Sequence, residues 1–288
     1  MKMNDQCLPC LVNQVVKIAH MTQVKNKNEL YQKIFAYMSQ MDFDKTNPEI
    51  IGEIFRLLKK HTDCDDPYLD MRKYYNRLFL KHFSYFDSNI QSFEDAVKHA
   101  IIANVIDFTP VHQNVEDNIM NYFHSVNQLK MTINHIPQMI KSLQQSKTLL
   151  YLGDNCGEIC FDLLLIKRIK EMNPNLHIYF GVRGAPVIND NIEEDAYEIG
   201  MDSYATIISN GDDSLGTILS RVSEEFLDIY QHADMIIAKG QANFESLSED
   251  NKNIYFLLMV KCQVIASYIG VEEKSLVCLS HENSHENS

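Results

Sequence analysis

A chain of 288 residues with 45% hydrophobic content can bury one large core or two modest ones, which excludes a wholly disordered polymer. Its 26 basic side chains face 39 acidic ones, a formal charge of −13, which argues against a general nucleic-acid-binding or anionic-membrane surface but not against a metal-bridged anion. The start, MKMNDQCLPCL, lacks the apolar stretch of a secretion signal, apolar runs are far too short to span a bilayer, and seven cysteines suit reduced thiols better than a disulfide framework, so a cytoplasmic protein is expected.

Residues 1–145 read as helices throughout, a helical domain. Residues 6–20, 29–40 and 48–60 repeat apolar side chains at helical spacing, with Pro48 acceptable in a first turn. Cys7 and Cys10 have the spacing of half a zinc site or a redox pair, and equally of two buried thiols; Cys64 or Cys262 could complete a site only if folding brings them near. Asp66-Pro67 predicts a helix start, running through Arg72 and Asn76 towards His82. Ser92 with Asp95 resembles a capping box and opens a helix to about residue 108. Asn104 lies inside that helix's apolar stripe, with Asp107 on the same side. A buried amide without partners costs about 1–3 kcal/mol, so Asn104 either caps a neighbouring element or points into a site.

From about residue 146 the pattern changes to alternating strands (148–152, 177–182, 204–209, 235–238, 254–259) and helices (158–172, 192–199, 215–231, 261–269). Such a βαβ series predicts an α/β domain over 146–280, a doubly wound, mostly parallel sheet of about five or six strands with a site along the strand ends. The polar repeat HENSHENS, residues 281–288, reads as a disordered tail.

Four strand ends bring polar groups to one rim. They carry Asp154, Asn155 and Glu158; Arg183, Asn189 and Asp190; Ser209, Asn210, Asp212 and Asp213; and Lys239, Gly240, Gln241 and Asn243. Asn189, Asp212 or Asp213 alone could be ordinary helix caps. The stretch LLYLGDNCGEICFD, residues 149–162, is harder to explain that way, because Gly153 and Gly157 bracket an acid and an amide and permit tight turning. Two hard oxygen donors suit Mg²⁺ or Mn²⁺, and a helix start at Gly157 would favour an anion. Lys239 and Arg183 read either as solvated cations or as phosphate contacts. Neither a P-loop nor a nucleophile elbow occurs, and no His follows Cys156 and Cys160 as a base.

The combination GDNCGEICFD (153–162), VRGAPVINDNIEEDAYEIGMD (182–202), SNGDDSLGT (209–217), ADMIIAKGQANFESL (233–247) and KCQVIASYIGV (261–271) resembles the domain-of-unknown-function 89 family, the metal-dependent damage-control phosphatases. CLPC, DPYLDMRKYYN (66–76) and AIIANVIDF (100–108) resemble its stand-alone prokaryotic branch, so the likeness spans nearly the whole chain apart from the tail. The resemblance implies a helical region packed on an α/β domain with the site between them. It implies Asp154, Asn155 and Asp190 as ligands of a divalent metal, with Mg, Mn, Co or Ni all suited to an oxygen-rich site. Lys239 would face the substrate phosphate and Asn104 would line the pocket.

On that reading the protein hydrolyses a small phosphate monoester, a sugar phosphate or damaged phosphorylated metabolite. Asp154 and Lys239 are the catalytic candidates, and Asn104, Gly157, Glu158, Arg183 and Lys239 the substrate-binding ones. Cys7 and Cys10 remain a possible second metal site. Four departures from the family pattern, Ala103, Ala242, Arg72 and Asn191, remove no proposed ligand and bear on pocket shape. The rival readings are an S-adenosylmethionine-dependent carboxyl methyltransferase, for which no glycine-rich loop with a strand-end acid is found, and a non-enzymatic metal-binding protein.

Overall fold

In the computed structural model, which describes residues 1–103, 123 and 126–280, most helices of the first half begin where the sequence offers a cap or a proline. Helix α1 (Leu8–Met21) carries Pro9 in its first turn, α2 (Lys27–Met38) is capped by Asn26, and α3 (Asn47–Thr62) by a full Thr46–Glu49 capping box. Helix α4 (Leu69–Lys81) starts later than Asp66-Pro67 suggests, because Asp66 instead accepts the Tyr68 amide at 3.1 Å and pairs with Arg72. Helices α5 (Phe83–Asn89) and α6 (Phe93–Ile102) follow, the latter capped by Ser92. Asn104 and Asp107 lie outside the described residues, as does the 281–288 tail.

The sheet has seven strands: β1 (Met131–Asn134), β2 (Thr148–Leu152), β3 (His177–Val182), β4 (Thr206–Ser209), β5 (Met235–Lys239), β6 (Ile254–Met259) and β7 (Leu276–Ser280). Their order is β1-β7-β6-β5-β2-β3-β4, with β6 through β4 parallel and β7 antiparallel to β6. This exceeds the expected five or six. Strand β1 falls within the stretch expected to be helical, four residues being too few to show an alternation, and it pairs with β7. Around the sheet lie α7 (Ile136–Gln145), α8 (Ile159–Met172), α9 (Glu193–Glu198), α10 (Glu224–His232), α11 (Gly240–Leu247) and α12 (Gln263–Ile269). The helix expected over 215–231 is confined to α10. The loop before it is tied down by Asn210, whose Oδ1 accepts the amides of Gly184 and Asp212 at 2.9 Å each.

One apolar core joins the halves: Phe79 and Phe86 of the first half pack on Phe161 of α8, with ring centroids 5.1 and 4.7 Å away. Leu150, Ile236 and Phe256 build a second core on the opposite sheet face, and α1 to α3 a third, which reaches Val187 and Ile188. Each such Leu, Ile or Phe contributes about 1.5–3 kcal/mol by leaving water. No helix among the described residues is long and apolar enough to cross a membrane.

Strand β2 sits between β3 and β5, and the chain runs outward from it in both directions. That reversal leaves a crevice beyond the carboxyl ends of β2 and β5, the usual ligand position in open α/β sheets.

Candidate active site

Gly153 leaves β2 with its amide on the Gly181 carbonyl at 3.0 Å, and Asp154 and Asn155 follow in the crevice. The loop after β3 folds back against this turn: Cys156 donates to the Asn189 carbonyl at 2.9 Å, and Asn191 donates to the Asp154 carbonyl through its backbone at 2.8 Å and its side chain at 2.7 Å. The result is a β-bridge that sets Asn155 beside Asp190. From β5, Gly240 closes on the other side. It has φ +76°, and a Cβ there would stand 1.9 Å from Asp154 Oδ2, so only glycine lets the carboxylate approach.

The Asn155 amide nitrogen donates to Asp154 Oδ2 and Glu158 Oε2, both at 2.9 Å, which puts its carbonyl oxygen on the opposite edge of the group. Arg183, 2% exposed, donates from Nε to Asp190 Oδ2 at 2.7 Å, and its Nη2 lies 3.8 Å from Asp154 Oδ1. Lys239 is fully buried. Its three protons go to the Ala100 carbonyl at 2.8 Å, Glu158 Oε1 at 2.5 Å and Asp162 Oδ1 at 2.6 Å, and Tyr151 adds a 2.7 Å bond to Asp162.

Four buried acids, Asp154, Glu158, Asp162 and Asp190, thus face two buried cations, Arg183 and Lys239, two more acids than bases among the described residues. Burial pushes the Asp162 carboxyl up to about 7 against the pull of Lys239. Burial likewise pushes Asp190 to about 7 against Arg183, with Asp154 adding repulsion. For Lys239, burial pulls downward but Asp162 and Glu158 outweigh it and hold the ammonium above its ordinary value.

The fold therefore brings together Asp154, Asn155, Glu158, Arg183, Asp190 and Lys239. Two expectations change. Lys239 and Arg183 are turned onto acids instead of an open cavity. The helix start also offers no free amide over 156–160: Gly157, at φ +70°, donates to Asn76 Oδ1 at 2.6 Å, Glu158 to Cys156, Ile159 to Asn155, Cys160 to Gly157, and α8 begins only at Ile159. An anion there would have to displace one of these bonds.

Cys7 is half-buried with its thiol pushed up by burial, and Cys10 is exposed. Among the described residues no three His, Cys, Asp or Glu side chains are grouped to hold a metal ion. The candidate set in the crevice is two carboxylates and an amide, all oxygen donors, a chemistry that fits a hard divalent cation.

Residue-level reading missed the support from α4. Arg72, buried, pairs with both Asp66 and Asp195, and Asn76 donates to Asp195 Oδ1 at 2.9 Å. The signal was present: polar residues four apart, at 72 and 76, on the face that also carries Tyr75 and Phe79.

Comparison with known proteins gives a consistent result. The family described as Damage-control phosphatase ARMT1-like domain matches residues 3–277. The chain is 34% identical to a damage-control phosphatase of Pyrococcus horikoshii over 98% of this chain and 99% of that one. It is 32% identical to a damage-control phosphatase of Archaeoglobus fulgidus over 80% and 81% of the two chains. A crystal structure of a DUF89 family protein from P. horikoshii superposes with a TM-score of 0.89 at 31% identity, covering 97% of this chain and 99% of that one.

Proposed function

This chain belongs to the damage-control phosphatase ARMT1-like family, and from that premise we propose that it is a metal-dependent phosphatase acting on small phosphate monoesters in the crevice after β2 and β5. The substrate class is sugar phosphates or damaged phosphorylated metabolites. The observation that carries the reading is the convergence of three oxygen-bearing side chains in one crevice, Asn155 bridged to Asp190 on one side and Asp154 closed in by Gly240 on the other.

Asp154, Asn155 and Asp190 would hold the divalent ion. When bound, it supplies Lewis-acid polarisation of the phosphoryl oxygens. Arg183 keeps Asp190 oriented and offsets part of the charge on Asp154. Lys239 holds Glu158, which in turn fixes the Asn155 amide and so the direction of its carbonyl oxygen. In this reading Lys239 serves the site from beneath, in place of the direct phosphate contact the family resemblance implies.

A screen over sugar phosphates and phosphorylated cofactors, with and without chelator, tests the proposal on wild type and Asp154→Ala. Activity should require a divalent ion and fall by more than the roughly 10–100-fold typical of outer-shell changes in Asp154→Ala. Hydrolysis that survives both chelation and the substitution overturns it.

A further inference from the structure

Asn76 sits in the middle of α4, fully buried, where a helix facing an apolar core would ordinarily carry a hydrophobic residue. Its amide is fully occupied, and by two different parts of the α/β half. The oxygen accepts the Gly157 N–H at 2.6 Å; the nitrogen donates to Asp195 Oδ1 at 2.9 Å and Glu198 Oε2 at 3.4 Å.

Both contacts end close to candidate ligands. Gly157 is two residues after Asn155 and holds the left-handed turn between Asn155 and Glu158. Helix α4 leaves no room for another residue there: a Cβ on Gly157 would meet Tyr75 Cβ at 2.9 Å and the Phe79 ring at 3.1 Å. On the other side, Asp195 Oδ2 accepts the Ile192 amide at 3.0 Å and pairs with Arg72. Ile192 is two residues after Asp190 and bridges to Arg183, the cation on Asp190. One side chain from the helical half thus joins the segment carrying Asp154 and Asn155 to the segment carrying Asp190.

We infer that Asn76 is a positioning residue that sets the spacing of the Asp154–Asn155 turn and the Asp190 loop, so that docking of α4 completes the metal site. The inference rests on the metal-site reading above. Asn76 touches neither metal nor substrate. It acts through Gly157 and Asp195, as outer-shell partners of metal ligands do, and their loss characteristically costs about 10–100-fold in metal affinity.

The test is Mn²⁺ binding by calorimetry, with hydrogen exchange over residues 153–158 of the metal-free protein. Asn76→Ala should weaken Mn²⁺ binding by about 10–100-fold and speed exchange in that segment. Asn76→Leu keeps about the same volume but neither accepts from Gly157 nor donates to Asp195, so it should weaken Mn²⁺ binding by the same roughly 10–100-fold as Asn76→Ala and separate lost hydrogen bonds from lost volume. Arg77→Ala, which breaks only the exposed 3.1 Å pair with Glu198, should change neither readout. A purely structural role would lower thermal stability and leave Mn²⁺ affinity alone, and wild-type affinity in Asn76→Ala overturns the inference. If Asn76→Ala does not fold, wild-type affinity in Asn76→Leu overturns it instead. A wild-type protein that binds no Mn²⁺ overturns the metal-site reading itself, and this inference with it.

Discussion

Two buried charge clusters flank the Asp154–Asn155 turn, each with twice as many acids as bases, and they differ in what is left over. In the clamp on the α4 side, Arg72 serves Asp66 and Asp195, and every carboxylate oxygen has a donor: Tyr68 N, Asn76, Ile192 N or Arg72 itself. Its buried orphan is a donor, Arg72 Nε. In the floor, Lys239 and Arg183 serve four acids, and the orphan is an acceptor, Asp162 Oδ2. Among the described residues the clamp pairs every acid oxygen, whereas the floor leaves one of them, on Asp162, without a donor. Equal ratios of acid to base therefore mark a structural joint in one place and, in the reading proposed above, the surroundings of a cation site in the other.

The sharpest way to break this comparison is to remove the cation from each cluster. Lys239→Met and Arg72→Met should each cost about 3–5 kcal/mol, the usual result of stranding a buried charge. A divalent metal should recover part of the loss only in Lys239→Met. Equal recovery in calorimetric melts of the two variants would mean that the floor has no special need of a cation. A smaller effect is expected from Gly240→Ala. The left-handed backbone costs about 1–2 kcal/mol, and the 1.9 Å approach pushes Asp154 out of place, so the rise in Tm on adding Mn²⁺ should vanish. An undiminished rise would show that Asp154 is not a ligand.

The smallest effect sharpens the account of the floor. Asp162 is faced by Lys239, Glu158 and Tyr151, and its carboxyl sits at about 7 instead of 3.8. Between those values the folded chain holds a proton that the unfolded chain has released, so this group makes stability fall as pH rises through the window. Asp162→Asn should flatten that fall in metal-free melts. Parallel slopes in variant and wild type would assign the pH dependence to other groups.

How far each part could be read in advance follows from the range of the forces that place it. The turn at 153–158 was legible because its glycines, acid and amide lie within six residues and carry their own conformational meaning. Strand β2 ran from 148 to 152 as its apolar run indicated, and the parallel sheet followed from the alternation after it. Lys239 was visible as a residue on the rim, but not its direction. A strand end can aim a side chain at either face, and Asp162 with the Ala100 carbonyl decides the matter from elements 77 and 139 residues away. Asp162 itself, in the first turn of α8, read as an ordinary helical acid, yet it is fully buried. The engagement of the helix start was hidden for a related reason: the dipole is local, but Asn76, which takes the Gly157 amide, is not.

The bond from Asn76 to Gly157 spans 81 residues, and the pair Arg72–Asp195 spans 123. Loops of that length close late in folding, after local helices and neighbouring strands have formed. During refolding, amide protection in β2 and β3 should therefore appear before affinity for the ion does. With the ion held as proposed, metal uptake would then serve as a clock for the last step, the docking of the first half of the chain onto the second.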